Sequence, residues 1–322
     1  MKAIAQDPYG TADGLELRDI DRPVPRDNEV LVQVHAAGVD PSILHLMTGK
    51  PYIARLALGL RKPKNPVRGW DLAGVVETVG SKVTRFKPGQ EVFGIGDGSL
   101  AQFACARADK LAPKPANLTF EQAAVLPVSG VTAHQALSGK ARPKPGQKVL
   151  VIGASGGVGT YAIQLAVSCE AGVTAVCGPG AADFVRALGA TDVIDYTSGE
   201  ITDAKQLFDI ILDAAGNRPL SLLRRALAPT GVLVMVGGEG GGDWMGGMGR
   251  QLGGYALSPF VGQTLHSLVA RVRHKDLLTL KNLAETGTIA PAIDSTYPLV
   301  EAVAAIKHLE TGRPRGKIVV TV

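Results

Sequence analysis

Val149 to Tyr161 reads VLVIGASGGVGTY, an order of residue types suited to holding a phosphate. Four apolar residues, Val149 to Ile152, run into Gly153. Beyond Gly159 the apolar positions Ala162, Ile163, Leu165 and Ala166 recur at helical spacing. The stretch predicts a buried strand, a glycine turn and a helix. Read as G-x-G-x-x-G, the motif falls on Ala154, Gly156 and Gly159, with alanine for the first glycine, Ser155 and Val158 between, and an additional Gly157. Glycine at the second position lets a pyrophosphate approach the main chain, and at the third it lets helix and strand pack closely. The phosphates then meet unpaired N–H groups at the positive helix end. The expected ligand is a dinucleotide; the competing reading at this point is a tight turn with a purely structural role.

The surrounding elements divide in two. Residues 1 to about 121 read as β-rich: Val30, Val32, Val34 and Ala36 alternate with Leu31, Gln33 and His35, and Leu72 to Val79 is a second β-branched stretch. Turn residues recur at Pro23, Pro25, Gly49, Pro88, Gly89, Gly94 and Gly98, which suggests a compact barrel or sandwich without helix–strand alternation. From Thr119 helices enter at Phe120–Leu126 and Ser129–Leu137. A regular series then begins, with strands at Val149–Ile152, Val173–Cys177, Asp192–Ile194, Ile210–Asp213 and Val232–Val236, and helices such as Ala182–Leu188 and Pro219–Ala228 between them. That alternation predicts a parallel, doubly wound sheet with its ligand at the carboxyl ends of the strands. A sixth strand is expected within Phe260–Val269, then helices at Asp276–Glu285 and Leu299–Leu309 and a final strand at Lys317–Val322. The glycine-rich run Gly237–Gly254 reads as a surface loop or as a mobile wall over the cofactor, with Trp244 and Met245 as its apolar contacts.

Composition limits the function classes. The chain has 322 residues, 45% of them hydrophobic and 20% charged, and no apolar run long enough to span a bilayer, so no membrane is expected among its partners. Asp7 and Pro8 stand where a signal peptide would need an apolar core, and Cys105, Cys169 and Cys177 form no C-x-x-C pair. Both observations point to a reducing, cytoplasmic setting. Net charge is +5, and the clusters Arg61–Arg68 and Arg271–Lys275 are short and lack interleaved aromatics, which argues for a solvated surface rather than a nucleic-acid partner.

The stretches AAGVDPSILHLMTG, RGWDLAGVVETVG, RFKPGQEVFG, EQAAVLPVSGVTA, GASGGVG, GATDVIDY and RGKIVV together resemble the medium-chain dehydrogenase/reductase superfamily, in its zinc-free, quinone-oxidoreductase-like branch. The resemblance runs nearly from end to end. It implies an α/β protein: a GroES-like β-rich catalytic domain of residues 1–121 and 266–322, interrupted by a Rossmann cofactor-binding domain of residues 122–265, with the active site in the cleft between. Zinc-dependent members carry a Cys in the motif beginning GV and a His-Glu pair in G-H-E. Here Asp40 and the pair Trp70–Asp71 stand at those places, and tryptophan offers no lone pair, so no metal is expected. Without zinc to polarise an alcohol or carbonyl oxygen, an acceptor that already delocalises charge is favoured: a quinone or an α,β-unsaturated ketone.

An acid at the end of the second Rossmann strand normally bonds a free ribose hydroxyl, and Cys177 to Gly180 (CGPG) contains none, which favours NADPH. The basic residue that relatives often carry in this turn is missing too. By resemblance Thr132 lies near the nicotinamide, Val236, Gly237 and Gly238 border it, and Ala214 and Gly216 flank the adenosine side; Tyr196, beside Cys177 and Gly178, either contacts the 2′-phosphate region or serves ordinary packing. Tyr52 stands where quinone reductases carry a tyrosine able to donate a proton, or to line the pocket. Asp40 and Asp71 are further catalytic candidates, Asp71 having bracing of the cleft backbone as its alternative. The reading is an NADPH-dependent reductase, a homodimer through the edge strand in Phe260–Val269. Its rivals are an NAD(P)-dependent alcohol dehydrogenase and a non-catalytic nucleotide-binding protein.

Overall fold

The computed structural model describes residues 1–204, 206–236, 242–244 and 246–322. It divides into two compact units, residues 1–131 with 271–322 and residues 132–270, rather than at 121/122 and 265/266.

The first unit holds a two-stranded antiparallel sheet of β1 (Lys2–Ala5) and β2 (Glu16–Asp19), and a larger, mainly antiparallel sheet that begins with β3 (Glu29–Val39), β4 (Asp71–Val79), β5 (Glu91–Ile95), β6 (Phe103–Arg107) and β7 (Leu111–Pro113). β3 is the spine, pairing with both β4 and β6. Its valines at 30, 32 and 34 turn into a core with Leu72, Val76, Phe86, Val92 and Leu111, as the two-residue period requires. Two helices break the expected strand-only pattern. α1 (Ser42–Thr48) buries Ile43, Leu46 and Met47 at helical spacing and ends at Gly49, and α2 (Arg55–Leu58) is one turn long. α3 (Phe120–Ala124) starts at a capping box in which Thr119 and Gln122 satisfy each other's backbone N–H groups. It packs on β3, β4 and β5, which moves the boundary past residue 121. Pro127 opens α4 (Pro127–Ala136), where its missing N–H costs nothing.

In the second unit β8 (Lys148–Ile152) leads into α5 (Gly157–Ser168), then β9 (Gly172–Cys177), α6 (Ala182–Ala187), β10 (Asp192–Asp195), β11 (Phe208–Asp213), α7 (Leu220–Ala226), β12 (Leu227–Met235), α8 (Met248–Leu257) and β13 (Thr264–Ser267). The six strands are all parallel, in the order β10-β9-β8-β11-β12-β13. This is the doubly wound Rossmann order. The sixth strand is shorter than the Phe260–Val269 window and lies at the sheet edge, because Ser258–Phe260 forms a 3-10 turn before it.

The chain then returns to the first unit through α9 (His274–Glu285), β14 (Ile293–Pro298), α10 (Ala302–Glu310) and β15 (Lys317–Thr321). β15 runs antiparallel to β3, with Ile318 opposite Val39, and parallel to β14. β14, IDSTYP, was not expected: only half-buried and without clean alternation, it is a strand because β15 offers it a ladder.

Candidate active site

The register of three strands brings three charges together inside the first unit. Asp40 follows Val39 at the end of β3, Lys317 precedes Ile318 at the start of β15, and Asp71 opens β4 one residue before Leu72, which pairs with Ala37. Lys317 Nζ donates to Asp40 Oδ2 at 3.0 Å and to Asp71 Oδ2 at 3.1 Å. The other oxygens are also engaged. Asp40 Oδ1 accepts from the Ser42 N–H at 2.9 Å and from the Ser42 hydroxyl, and Asp71 Oδ1 accepts from the Val128 N–H at 3.0 Å, in the first turn of α4. All three side chains are buried, with Lys317 3% exposed.

Two carboxylates share one ammonium here, so with both ionised the cluster would carry a buried negative charge. Burial resists that and pushes the Asp71 carboxyl up to about 7, Lys317 opposing and Asp40 reinforcing the shift. Burial acts on Asp40 in the same sense, but the Lys317 ammonium and the two Ser42 bonds outweigh it and hold Asp40 below its ordinary value. Burial works against the Lys317 charge and is overcome by the two carboxylates, so Lys317 titrates above its ordinary range. At neutral pH the cluster therefore holds an ammonium, the Asp40 carboxylate and an Asp71 carboxyl close to its titration point.

A pH effect on stability follows. The raised Asp71 value means that the folded chain binds this proton more tightly than the unfolded one. Its contribution is complete below the unfolded value near 4 and is lost as pH rises through about 7. Asp71→Asn keeps an acceptor for the Val128 N–H and removes the titration, so between pH 4.5 and 7.5 its urea midpoint should fall less than that of the parent. Parallel pH profiles of the two proteins would remove Asp71 as the source.

Zinc does not fit this place. Lys317 already bridges both carboxylates, and Trp70 supplies no metal-binding lone pair. Among the described residues no group of three or more His, Cys, Asp and Glu side chains is placed to hold a metal ion.

Tyr52 lies elsewhere in the first unit, in a turn between α1 and α2, half-buried. The Arg55 guanidinium stands 4.7 Å from its ring centre and 4.5 Å from that of Tyr9, and Lys50 Nζ 6.0 Å from the Tyr52 ring. Arg55 is itself fixed by the Gly49 and Thr48 carbonyls, so the ring is held between anchored groups. Cys105 has a thiol pushed up to about 11 by burial, and burial also raises Cys177; neither is prepared as a nucleophile.

In the second unit the dinucleotide candidates come together. The N–H groups of Gly153 and Ala154 both bond the Val176 carbonyl, which sets the turn beside Cys177 and Gly178. Gly156 is the N-cap of α5 and supplies no side-chain cap, so the N–H groups of Gly157, Val158 and Gly159 in the first turn lack intrahelical partners. A Cβ at Gly156 would meet only the Gly153 carbonyl, at 3.4 Å, and its φ of −82° suits any residue. Nothing in the protein requires glycine there, and its lack of a side chain leaves the main chain at the head of α5 open to a ligand. At Gly159 a Cβ would come within 2.2 Å of the Gly153 oxygen, so that glycine serves helix–strand packing. The Ala214 N–H bonds the Ile152 carbonyl, and the Gly216 N–H bonds the buried Asp213 carboxylate, which places this loop beside Gly153. Tyr196 is exposed, and a Cβ on Gly178 would lie 3.0 Å from its hydroxyl. Val236 donates to the Asp213 carbonyl at the same strand ends, and Thr132 is buried on α4. Gly237, Gly238 and Met245 lie outside the described residues, and Trp244 is exposed.

Two participants were missed from sequence. Lys317 opens a terminal strand like any polar flank; its one local signal is that it precedes four apolar or β-branched residues in KIVVT. Arg250, on α8 within the glycine-rich run, forms an ion pair with Asp213 and also donates to the Arg218 carbonyl.

Comparison with known proteins agrees with this fold. Residues 26–116 match the family described as alcohol dehydrogenase GroES-like domain, and residues 188–320 that described as zinc-binding dehydrogenase. The chain is 35% identical over 327 residues to the NAD(P)H oxidoreductase RTN4IP1, mitochondrial, of Homo sapiens, covering 92% of this chain and 82% of that protein. It is 31% identical over 335 residues to the 2-methylene-furan-3-one reductase of Solanum lycopersicum, covering 99% and 79%. The solved quinone oxidoreductase from Coxiella burnetii superposes with a TM-score of 0.88 at 30% identity, covering 100% of this chain and 99% of that one. With relatives at this identity over nearly its whole length, the chain belongs to the medium-chain dehydrogenase/reductase superfamily, in the quinone-oxidoreductase-like branch, and is an oxidoreductase of the NAD(P)H-using kind.

Proposed function

We propose that the protein is a zinc-independent, NADPH-dependent reductase of quinones or α,β-unsaturated carbonyl compounds. The observation that supports the acceptor class is the Asp40–Lys317–Asp71 cluster: the two carboxylates at the positions compared with zinc ligands are taken up by a protein ammonium, which speaks against a Lewis acid of the kind alcohol chemistry needs. Relatives named as a quinone oxidoreductase and a furanone reductase fit the same class.

For the cofactor, the N-terminal turn of α5 with Ala154 to Gly159 holds the pyrophosphate. When bound, NADPH supplies the hydride. The CGPG turn after β9 presents no carboxylate to a 2′-phosphate, and the Tyr196 hydroxyl beside Gly178 offers it a donor. The acid in register with Cys177 is Asp195, whose Oδ1 is taken up by the Thr197 N–H and hydroxyl. Tyr52 donates the proton that completes reduction, its ring held by Arg55.

The test is a titration with NADPH and NADH, then cofactor oxidation against naphthoquinones, enones and aldehydes. NADPH should bind at least about tenfold more tightly, a difference of about 1.4 kcal/mol. Turnover should be confined to the first two acceptor classes and survive chelation. Zinc-requiring alcohol oxidation, or binding without turnover on any acceptor, would overturn the reading. Tyr52→Phe should lower kcat about 100-fold with KM little changed; full kcat in that variant would leave solvent as the donor. We also infer a homodimer through the β13 edge, where Phe260 and Val269 are exposed, to be read by light scattering.

A further inference from the structure

The thirty residues 41–70 contain six lysines and arginines, at 50, 55, 61, 62, 64 and 68, and no aspartate or glutamate. The rest of the chain intermixes the two signs, so this is where its net charge of +5 is concentrated. The cations do not share one fate. Arg68 is buried, donates to the Leu46 and Gln6 carbonyls, and has its guanidinium pulled down to about 10 by burial; it belongs to the interior. Arg61, Lys62 and Lys64 are exposed, and none of them forms an ion pair with a described residue.

Large aliphatic side chains lie on the same short stretch. Ile53 is 46% exposed, Leu56 72% and Leu60 68%. The stretch is closed on itself: the Gly59 N–H bonds the Arg55 carbonyl, the Lys64 N–H bonds the Leu58 carbonyl, and the Tyr9 hydroxyl bonds the Gly59 carbonyl at 2.7 Å. Arg55 ties its first turn to the Thr48 and Gly49 carbonyls. The exposed leucines and cations are therefore presented together by an anchored loop.

We propose that residues 53–64 are a docking surface for an anionic lipid bilayer, Ile53, Leu56 and Leu60 entering the headgroup–acyl boundary while Arg61, Lys62 and Lys64 meet anionic headgroups. The charge sign selects the partner, since a stretch of exposed cations and apolar side chains without an acidic residue of its own matches an anionic interface. Size argues against a stable protein partner. Twelve residues fall short of the roughly 20–30 per side that such interfaces use, whereas a few aliphatics and cations suffice at a membrane. This departs from the expectation of no membrane partner, which was drawn from the lack of a spanning segment; among the described residues no helix is long and apolar enough to cross a membrane, and this mode requires none. The proposal uses neither the cofactor nor the acceptor assignment.

The experiment is co-sedimentation of the full chain with vesicles of phosphatidylcholine alone, or with about 30% phosphatidylglycerol, at low and at physiological salt. Binding to the anionic vesicles should be at least about tenfold tighter, and salt should weaken it. Arg61→Ala, Lys62→Ala and Lys64→Ala together should reduce it about 100-fold, on the order of fivefold per cation. Leu56→Ser with Leu60→Ser should reduce it about tenfold. Arg273→Ala with Lys275→Ala, in the other basic cluster, should leave it unchanged. Thermal midpoints of all variants, read without lipid, establish that they are folded. Equal binding to both vesicle types, no binding, or loss in the Arg273/Lys275 variant would overturn the proposal. So would leucine variants that bind like the parent, or that convert a dimer to a monomer and thereby assign the aliphatics to a second copy.

Discussion

Replacing Lys317 with methionine should remove about 3–5 kcal/mol of stability, the usual consequence of leaving buried charge without its partner. Methionine matches the length of the lysine stem, so little packing volume is lost, and the effect isolates the ammonium. Without it Asp40 and Asp71 are left as two carboxyls without their shared cation in a buried site. The folded state must then protonate both, and both carboxyls move above their unfolded values. Groups raised in this way stabilise the fold at low pH and lose that contribution as pH rises through the folded values. The variant should therefore be closest to the parent near pH 5 and furthest from it above pH 7. Urea midpoints at pH 5 and 7.5 read both the loss and its sign. The triple variant Asp40→Asn, Asp71→Asn, Lys317→Met carries no buried charge and should recover more than half of the lost stability, because the penalty comes from the orphaned carboxylates. A single variant that unfolds at the parent midpoint at pH 7.5 would mean that the ammonium is not the partner described.

That cluster also marks where sequence reading stops. The dinucleotide turn was legible because everything it needs is contiguous: four apolar residues, a glycine turn and a helical apolar spacing within about twenty positions, each constrained by its neighbours. The Rossmann order followed from the same alternation, repeated. Asp40 and Asp71 were singled out by motif position, yet their chemistry is set by Lys317, nearly 280 residues after Asp40, through the register of β15 on β3. No local pattern encodes a register between strands at opposite ends of a chain. β14 was missed for a related reason, since IDSTYP has little alternation of its own. α1 was overlooked because its short apolar spacing, Ile43, Leu46 and Met47, sits within a stretch dominated by strands and turns. The exposed leucines near residue 56 were visible as letters, but only the fold shows that they are left outside.

Two glycines three residues apart should fail in opposite ways when enlarged. Gly156→Val keeps an extended N-cap conformation, φ −82° and ψ 174°, that a β-branched residue adopts readily, and the added Cβ approaches nothing in the protein closer than 3.4 Å. Its thermal midpoint should stay at or slightly above the parent value, since a side chain also narrows the unfolded ensemble by about 0.4–1 kcal/mol. Its NADPH affinity should fall at least about 100-fold, or about 2.7 kcal/mol, because the branched side chain covers the N–H groups at the head of α5. Gly159→Ala meets the opposite constraint. Its Cβ would lie 2.2 Å from the Gly153 oxygen and 2.6 Å from the Ala154 Cα, backbone atoms that cannot rotate away. α5 must lift from β8, disturbing the packing of the buried Tyr161 and Ile163, at a cost of about 1–3 kcal/mol or more. Affinity should fall with it, as a consequence of the displaced helix. The discriminating measurement is the pair of midpoint and NADPH titration for each variant: Gly156→Val loses binding with its fold intact, while Gly159→Ala loses both. A Gly156→Val protein that binds NADPH like the parent would separate the phosphate from this turn, and the site would have to be sought elsewhere on the sheet.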